Sequence, residues 1–225
     1  MSHDVPQSRL HAWDVAKRED RWHFDYPKGA ARLASTDGER IFQPAGNAVH
    51  AVKAADGTEV WKDEFSAQIR MYGPMVRDGR VVSVRGPYGP ATVECLDAAT
   101  GKQIWTALTG SRASQQPAMT EDEVLVPVMM EDGIDRFSLK DGTRLGRFKT
   151  PIRPDSTIAV SPNRIYIGGQ KMVAALDRKT GAVVWKQDYS GDIAFLAIAG
   201  DKLLVARLDG FLDALGAAPA PAPPH

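Results

Sequence analysis

The stretch LDAATGKQIW at residues 96–105 decides the fold, because it returns as LDRKTGAVVW at residues 176–185. Looser copies are VKAADGTEVW at 52–61, FSLKDGTRLG at 137–146, where the tryptophan is lost, and WDVAKREDRW at 13–22. Their last residues, Trp22, Trp61, Trp105, Gly146 and Trp185, lie 39, 44, 41 and 39 residues apart. A partial copy, FLDALG at 211–216, puts Asp213 in the place of Asp97 and Asp177. A fixed period of this size is the mark of a stacked repeat architecture.

A second marker keeps the same beat. Turn signals stand at Asp37-Gly38, Asp78-Gly79, Glu121-Asp122, Pro162-Asn163 and Gly200-Asp201, each followed by a charged residue and an apolar run such as RVVSV or KLLVA. Asp, Asn and Gly tolerate the positive-φ conformations of tight hairpins, so the apolar runs read as strands. Four short strands fit each repeat, and no segment keeps a helical period. The sequence therefore predicts an all-β chain, a β-propeller of four-stranded antiparallel blades, about five in number.

The copies resemble the pyrroloquinoline-quinone (PQQ) repeat, with its Ala-x-Asp-x-x-x-Thr-Gly-x-x-x-Trp pattern, as found in BamB-like propellers. Ala175, Asp177, Thr180, Gly181 and Trp185 match it throughout. Asp97, Thr100, Gly101 and Trp105 match with Cys95 in the alanine place. Ala51, Gly57 and Trp61 match in the second copy, and Gly142 supplies the turn of the fourth. Ala12, Asp14 and Trp22 match in the first, where Arg18 stands in place of glycine. The resemblance implies that these residues, with Asp213, are scaffold: glycine for the turn, aspartate to accept turn amides, tryptophan to dock between blades. Each docked aromatic contributes about 2–3 kcal/mol by burial.

Residues 10–216 are predicted to form the propeller, flanked by a disordered amino terminus at 1–9 and a disordered Ala/Pro tail at 217–225. Either the amino-terminal strand around Trp22 closes the circle as the missing fourth strand of the last repeat, or the chain is an incomplete arc of a larger propeller. Closure removes sheet edges. Against it, His11 to Val15 already resemble a third strand.

The chain has 225 residues with 28 basic and 28 acidic side chains, a formal net charge of zero, which argues against a nucleic-acid binder. No run approaches the roughly 20 apolar residues of a membrane span. The start, MSHDVPQSRLHAWDV, has no apolar signal region, so a cytoplasmic location is expected if Met1 is the true start. Quinoprotein dehydrogenases, by the same resemblance, need an adjacent pair of disulfide-bonded cysteines, and this chain holds Cys95 alone. The histidines His3, His11, His23, His50 and His225 show no metal-ligand spacing. No catalytic, cofactor-binding or metal-binding residue is assigned, and no enzyme activity is expected.

What remains is a binding surface. Loops between second and third strands and links between blades gather Arg32, Arg70, Tyr72, Arg85, Tyr88, Arg112, Gln115, Gln116 and Arg153 on one face. Arginine and tyrosine are favoured at interfaces. The expected role is a non-catalytic scaffold for a protein or peptide partner. The alternatives are a binder or sensor of a small quinone- or sugar-like ligand, or a fragment of a larger quinoprotein-like or kinase-linked propeller.

Overall fold

The structure is a computed structural model that describes residues 8–26, 33–65, 71–86, 89–130 and 132–216. These form 21 strands and no helix, so no helix long and apolar enough to cross a membrane is present among them. Every ladder is antiparallel between sequence neighbours, as short hairpin loops dictate.

Blade 1 is a hairpin of β1 (Ser8–Asp14) and β2 (Glu19–Tyr26). Blade 2 holds β3 (Ser35–Thr36), β4 (Arg40–Ala45), β5 (Ala48–Lys53) and β6 (Glu59–Glu64). Blade 3 holds β7 (Met71–Arg77), β8 (Arg80–Arg85), β9 (Thr92–Asp97) and β10 (Gln103–Leu108). Blade 4 holds β11 (Ala118–Met119), β12 (Glu123–Val128), β13 (Gly133–Ser138) and β14 (Arg144–Lys149). Blade 5 holds β15 (Ala159–Val160), β16 (Arg164–Gly169), β17 (Met172–Asp177) and β18 (Val183–Asp188). Blade 6 has only β19 (Ile193–Ala199), β20 (Lys202–Arg207) and β21 (Leu212–Gly216).

The cores lie between blades. Val82, Val84, Val93 and Cys95 of blade 3 meet Val124, Val126, Phe137 and Leu139 of blade 4 in one buried cluster. Blades 4 and 5 meet through Leu125, Ile134, Phe148, Ile165 and Ile167. Central strands are covered on both faces, which is why they read as continuous apolar runs rather than alternating ones.

Each seam is pinned at the turn before a fourth strand. The amides of Gly57, Gly101, Gly142 and Gly181 donate back to the carbonyls of Lys53, Asp97, Ser138 and Asp177, at 2.8–2.9 Å. All four glycines have φ between 71° and 74°. The preceding blade's aromatic lies on them: a methyl carbon built on Gly101 would come within 2.7 Å of the Trp61 ring, and one on Gly142 within 2.6 Å of Trp105. The indole Nε1 of Trp22, Trp61 and Trp105 donates to the carbonyls of Ala54, Ala98 and Leu139 at 3.0–3.1 Å. Asp97 Oδ1 accepts from the Ala99 and Thr100 amides, and Asp177 Oδ1 does the same for Lys179 and Thr180.

Three readings of the sequence change. The tryptophan lost at Gly146 is replaced two residues on: Phe148 lies against Gly181, with the Arg136 guanidinium 4.2 Å from its ring centre. Two residues along a strand is the same face, so the aromatic shifts without leaving its seam. Second, Asp213 is not the counterpart of Asp97 and Asp177. Lys202 pairs with Gly216 where Arg164 pairs with Asp177, so Gly216 holds the turn place and Asp213 falls opposite Val205, level with Ala174. Third, β2 pairs only with β1, and β21 has no outer neighbour among the described residues. Among the described residues no closed sheet forms, so of the two alternatives the incomplete arc is the one they match. The amino-terminal and Ala/Pro segments expected to be disordered lie largely outside the described residues, and β1 begins at Ser8, inside the first of them.

Candidate loop-face site

The link from blade 3 to blade 4 and the link from blade 4 to blade 5 are tied together. Ser114 Oγ donates to the Pro154 carbonyl at 2.6 Å, and Gln115 Nε2 donates to the Asp155 carbonyl at 2.7 Å. The β12–β13 loop joins them, as the Met129 amide donates to Arg112 O and Thr150 N donates to Asp132 O. Thr157 Oγ1 carries the zipper into blade 6 by donating to Leu196 O. Loops so fixed present a preformed surface.

Two cavities flank the β12–β13 loop. One, of about 370 Å³, is lined by Met129, Asp132, Pro151, Ile152, Arg153 and Gln170. The other, of about 510 Å³, is lined by Gly110, Ser111, Met130, Arg144, Arg147 and Lys149. Met130, 67% exposed, lines the second, and its neighbour Met129 lines the first. Asp135 lies beneath the second cavity, fully buried, and accepts from the Gly110 amide and Arg147 Nε at 2.6 Å and from Arg144 Nη2 at 3.0 Å. Burial alone would raise its pKa. Arg147, the Gly110 amide and Arg144 outweigh that and hold the carboxyl below its ordinary range. The anion thus orients two arginines whose outer edges rim the cavity.

The nine residues expected on this face divide. Arg32, Arg70 and Tyr88 lie outside the described residues. Tyr72 packs against the blade 3–4 core. Arg85 is 14% exposed, ion-paired with Glu94, 3.6 Å from Asp63 and stacked 4.4 Å from the Phe65 ring centre, so it belongs to a seam and not to an open face. Gln116 Nε2 reaches Met75 Sδ at 3.7 Å. Gln115 and Arg153 are brought together at Asp155, Arg112 joins the loop face through its carbonyl to the Met129 amide, and Arg153 lines a cavity with Nε 2.8 Å from Asp155 Oδ1. Sequence reasoning missed Met130, Asp135, Arg144, Arg147 and Lys149. The available signal was an aspartate in the middle of a third strand, where apolar residues dominate.

That middle position is ionisable in five of the six blades. The ladders place His11, His50, Glu94, Asp135 and Asp213 in equivalent register, with Ala174 the exception. His50 Nδ1 lies 2.7 Å from Glu59 Oε1. Glu94 meets Arg85 and, across the blade 2–3 seam, Asp63. Among the described residues no group of three or more His, Cys, Asp or Glu is arranged to hold a metal ion. Burial pushes the Cys95 thiol up to about 11, so it is a poor nucleophile.

A family model described as outer membrane protein assembly factor BamB matches residues 6–133, 73–191 and 130–218. BamB from Moraxella catarrhalis superposes with a TM-score of 0.66 at 15% identity, over 93% of this chain and 67% of that one. The computationally designed Ika8 protein gives a TM-score of 0.76 at 14% identity, over 92% of this chain and 64% of the other. A polyvinylalcohol dehydrogenase from a Pseudomonas species is 25% identical over 191 residues, covering 80% of this chain and 26% of the relative. The serine/threonine-protein kinase AfsK of Streptomyces griseus is 32% identical over 124 residues, covering 50% of this chain and 15% of its own. The chain thus spans about a quarter or less of these curated relatives.

Proposed function

The chain belongs to the family of BamB-like PQQ-repeat propellers, and from that premise we propose that it is a non-catalytic scaffold holding a protein or peptide on its loop face. The observation that carries this reading is exposed Met130, lining one cavity with Arg144, Arg147 and Lys149, next in the chain to Met129, which lines the other with Arg153. A flexible, polarisable methionine among oriented guanidinium groups suits a segment with an apolar residue beside carboxylates. The dehydrogenase relative's activity stays with that protein, of which this chain spans only a quarter.

A photo-crosslinking residue at position 130, compared with one at exposed Leu108, tests the reading. A polypeptide adduct formed from position 130 alone, and weakened by Arg153→Glu, is the expected result. Equal adducts from both positions would rule out a dedicated loop face. The cavity beside Arg153, about 370 Å³, is also within the range of small-ligand sites, which favours a sugar-like ligand as a second reading. Saturable heat on titration with sugars or quinones, abolished by Arg153→Ala, would move the assignment there.

A further inference from the structure

The two ends of the arc are chemically unlike. In an antiparallel ladder directly opposed residues share a face. On blade 6, Leu204 pairs with Ala214 and Ala206 with Leu212, which is the register that Val82, Cys95, Val84 and Val93 occupy in blade 3. The four blade 3 residues are fully buried under blade 4, whereas Leu212 and Ala214 are exposed. The opposite end of the arc carries Arg9 ion-paired with Asp25 and His11 opposite His23, with Trp13 its exposed apolar member.

A second observation lies one seam back. Trp22, Trp61 and Trp105 each have a glycine beneath the ring and a carbonyl at Nε1. Trp185 is 36% exposed, and its Nε1 has no partner among the described residues. It opens on a groove of about 750 Å³ together with Val184, Ile198, Ala214, Leu215 and Gly216. The residues after Gly216 do not suit the vacancy. By the repeat spacing they put Pro219, Ala220 and Pro224 where Thr180, Gly181 and Trp185 stand one blade earlier. Proline lacks the N–H that a ladder requires.

We propose that the free edge of β21 and the groove over Trp185 accept an extended strand from a second polypeptide, one with a glycine that seats on Trp185 and apolar residues at alternate places beyond it. Strand addition of this kind gains affinity from the backbone ladder and selectivity from the glycine seat. The same arrangement repeats at four seams of this molecule, so the occupant's chemistry is written in the chain itself. A second copy fits less well. Its exposed third strand β1 brings Arg9 and His11 on the face that would have to bury against Leu212 and Ala214, and its following turn has Arg18 where the glycine is needed.

The probe is a synthetic peptide of residues 98–109, AATGKQIWTALT, which carries the turn and fourth strand of blade 3. Added to the full chain, it should slow amide exchange across residues 212–216. A peptide with valine at the position of Gly101 should bind at least tenfold more weakly, because its Cβ would strike the indole, as would the native peptide to a Trp185→Ala chain. Equal binding of the two peptides, or no protection of β21 at saturation, overturns the proposal. Concentration-dependent protection of β21 without peptide, with a doubled light-scattering mass, overturns it in favour of a second copy. The loop-face reading is untouched by any of these results, since Met130 and Arg153 take no part.

Discussion

Tryptophan has one role in this molecule and several environments. Trp105 is 7% exposed and has both its glycine and its carbonyl, whereas Trp185 is 36% exposed and has neither. Trp105→Ala should therefore cost about 3–5 kcal/mol and Trp185→Ala about 1 kcal/mol or less in urea unfolding. Equal losses would mean that Trp185 is covered in solution. Glu94 behaves differently because its seam strips it of water. Burial, opposed by Arg85 and reinforced by Asp63, pushes its pKa up to about 7. Below about pH 4.5 both folded and unfolded chains hold the proton. As pH rises towards 7 the unfolded chain releases it while the folded chain keeps it, so this contribution to stability is lost across that window. Glu94→Gln keeps the shape and removes the titration. It should gain about 1–2 kcal/mol over the parent at pH 8 relative to pH 5, measured by denaturant melts at the two values. A pH-independent difference would place Glu94 in a solvated site.

At the scale of the element, the turn before each fourth strand shows what could be read and what could not. Glycine followed four residues later by tryptophan was legible because two physical demands, a positive φ and a ring seat, fall on one short stretch. Phe148 was not legible, because a pattern fixed at the fourth residue cannot see an aromatic that has moved to the sixth on the same strand face. The slip at Asp213 has another cause: FLDALG copies the letters of LDAATG, but only the β20–β21 ladder sets register, and it moves the aspartate three residues from the turn place. Arg18 completes the series. It adopts φ 58° in the same turn, with its amide donating to Asp14 O at 2.7 Å. Four glycines lie under an aromatic ring, whereas Arg18 is exposed, so only the backbone penalty opposes its side chain. Arg18→Gly should then raise stability by about 0.5–1 kcal/mol, while Gly101→Val should cost more than about 3 kcal/mol. Thermal melts of the two variants separate the backbone penalty from the ring seat.

Over the whole molecule, blades touch only their neighbours, so stability is a chain of seam energies rather than one core. That explains why the fold class was readable from any single repeat while closure was not. Closure depends on how per-blade rotations add up, and no local pattern records the sum. The arrangement predicts a gradient. Among the described residues, seams between blades 2 and 5 are buried on both sides, whereas β1 and β2 have a neighbour on one side only, and β21 has an open edge and an open face. Native-state amide exchange should be slowest in β8, β9, β12 and β13 and fastest in blade 1 and β21, with intermediate values in blade 5. Opening of the ends should cost less than global unfolding, because each terminal blade gives up one seam and an inner blade two. If β1 instead exchanged as slowly as β9 in the isolated chain, its Arg9–His11 face would have to be covered. A closed ring or a tight oligomer would then replace the open arc.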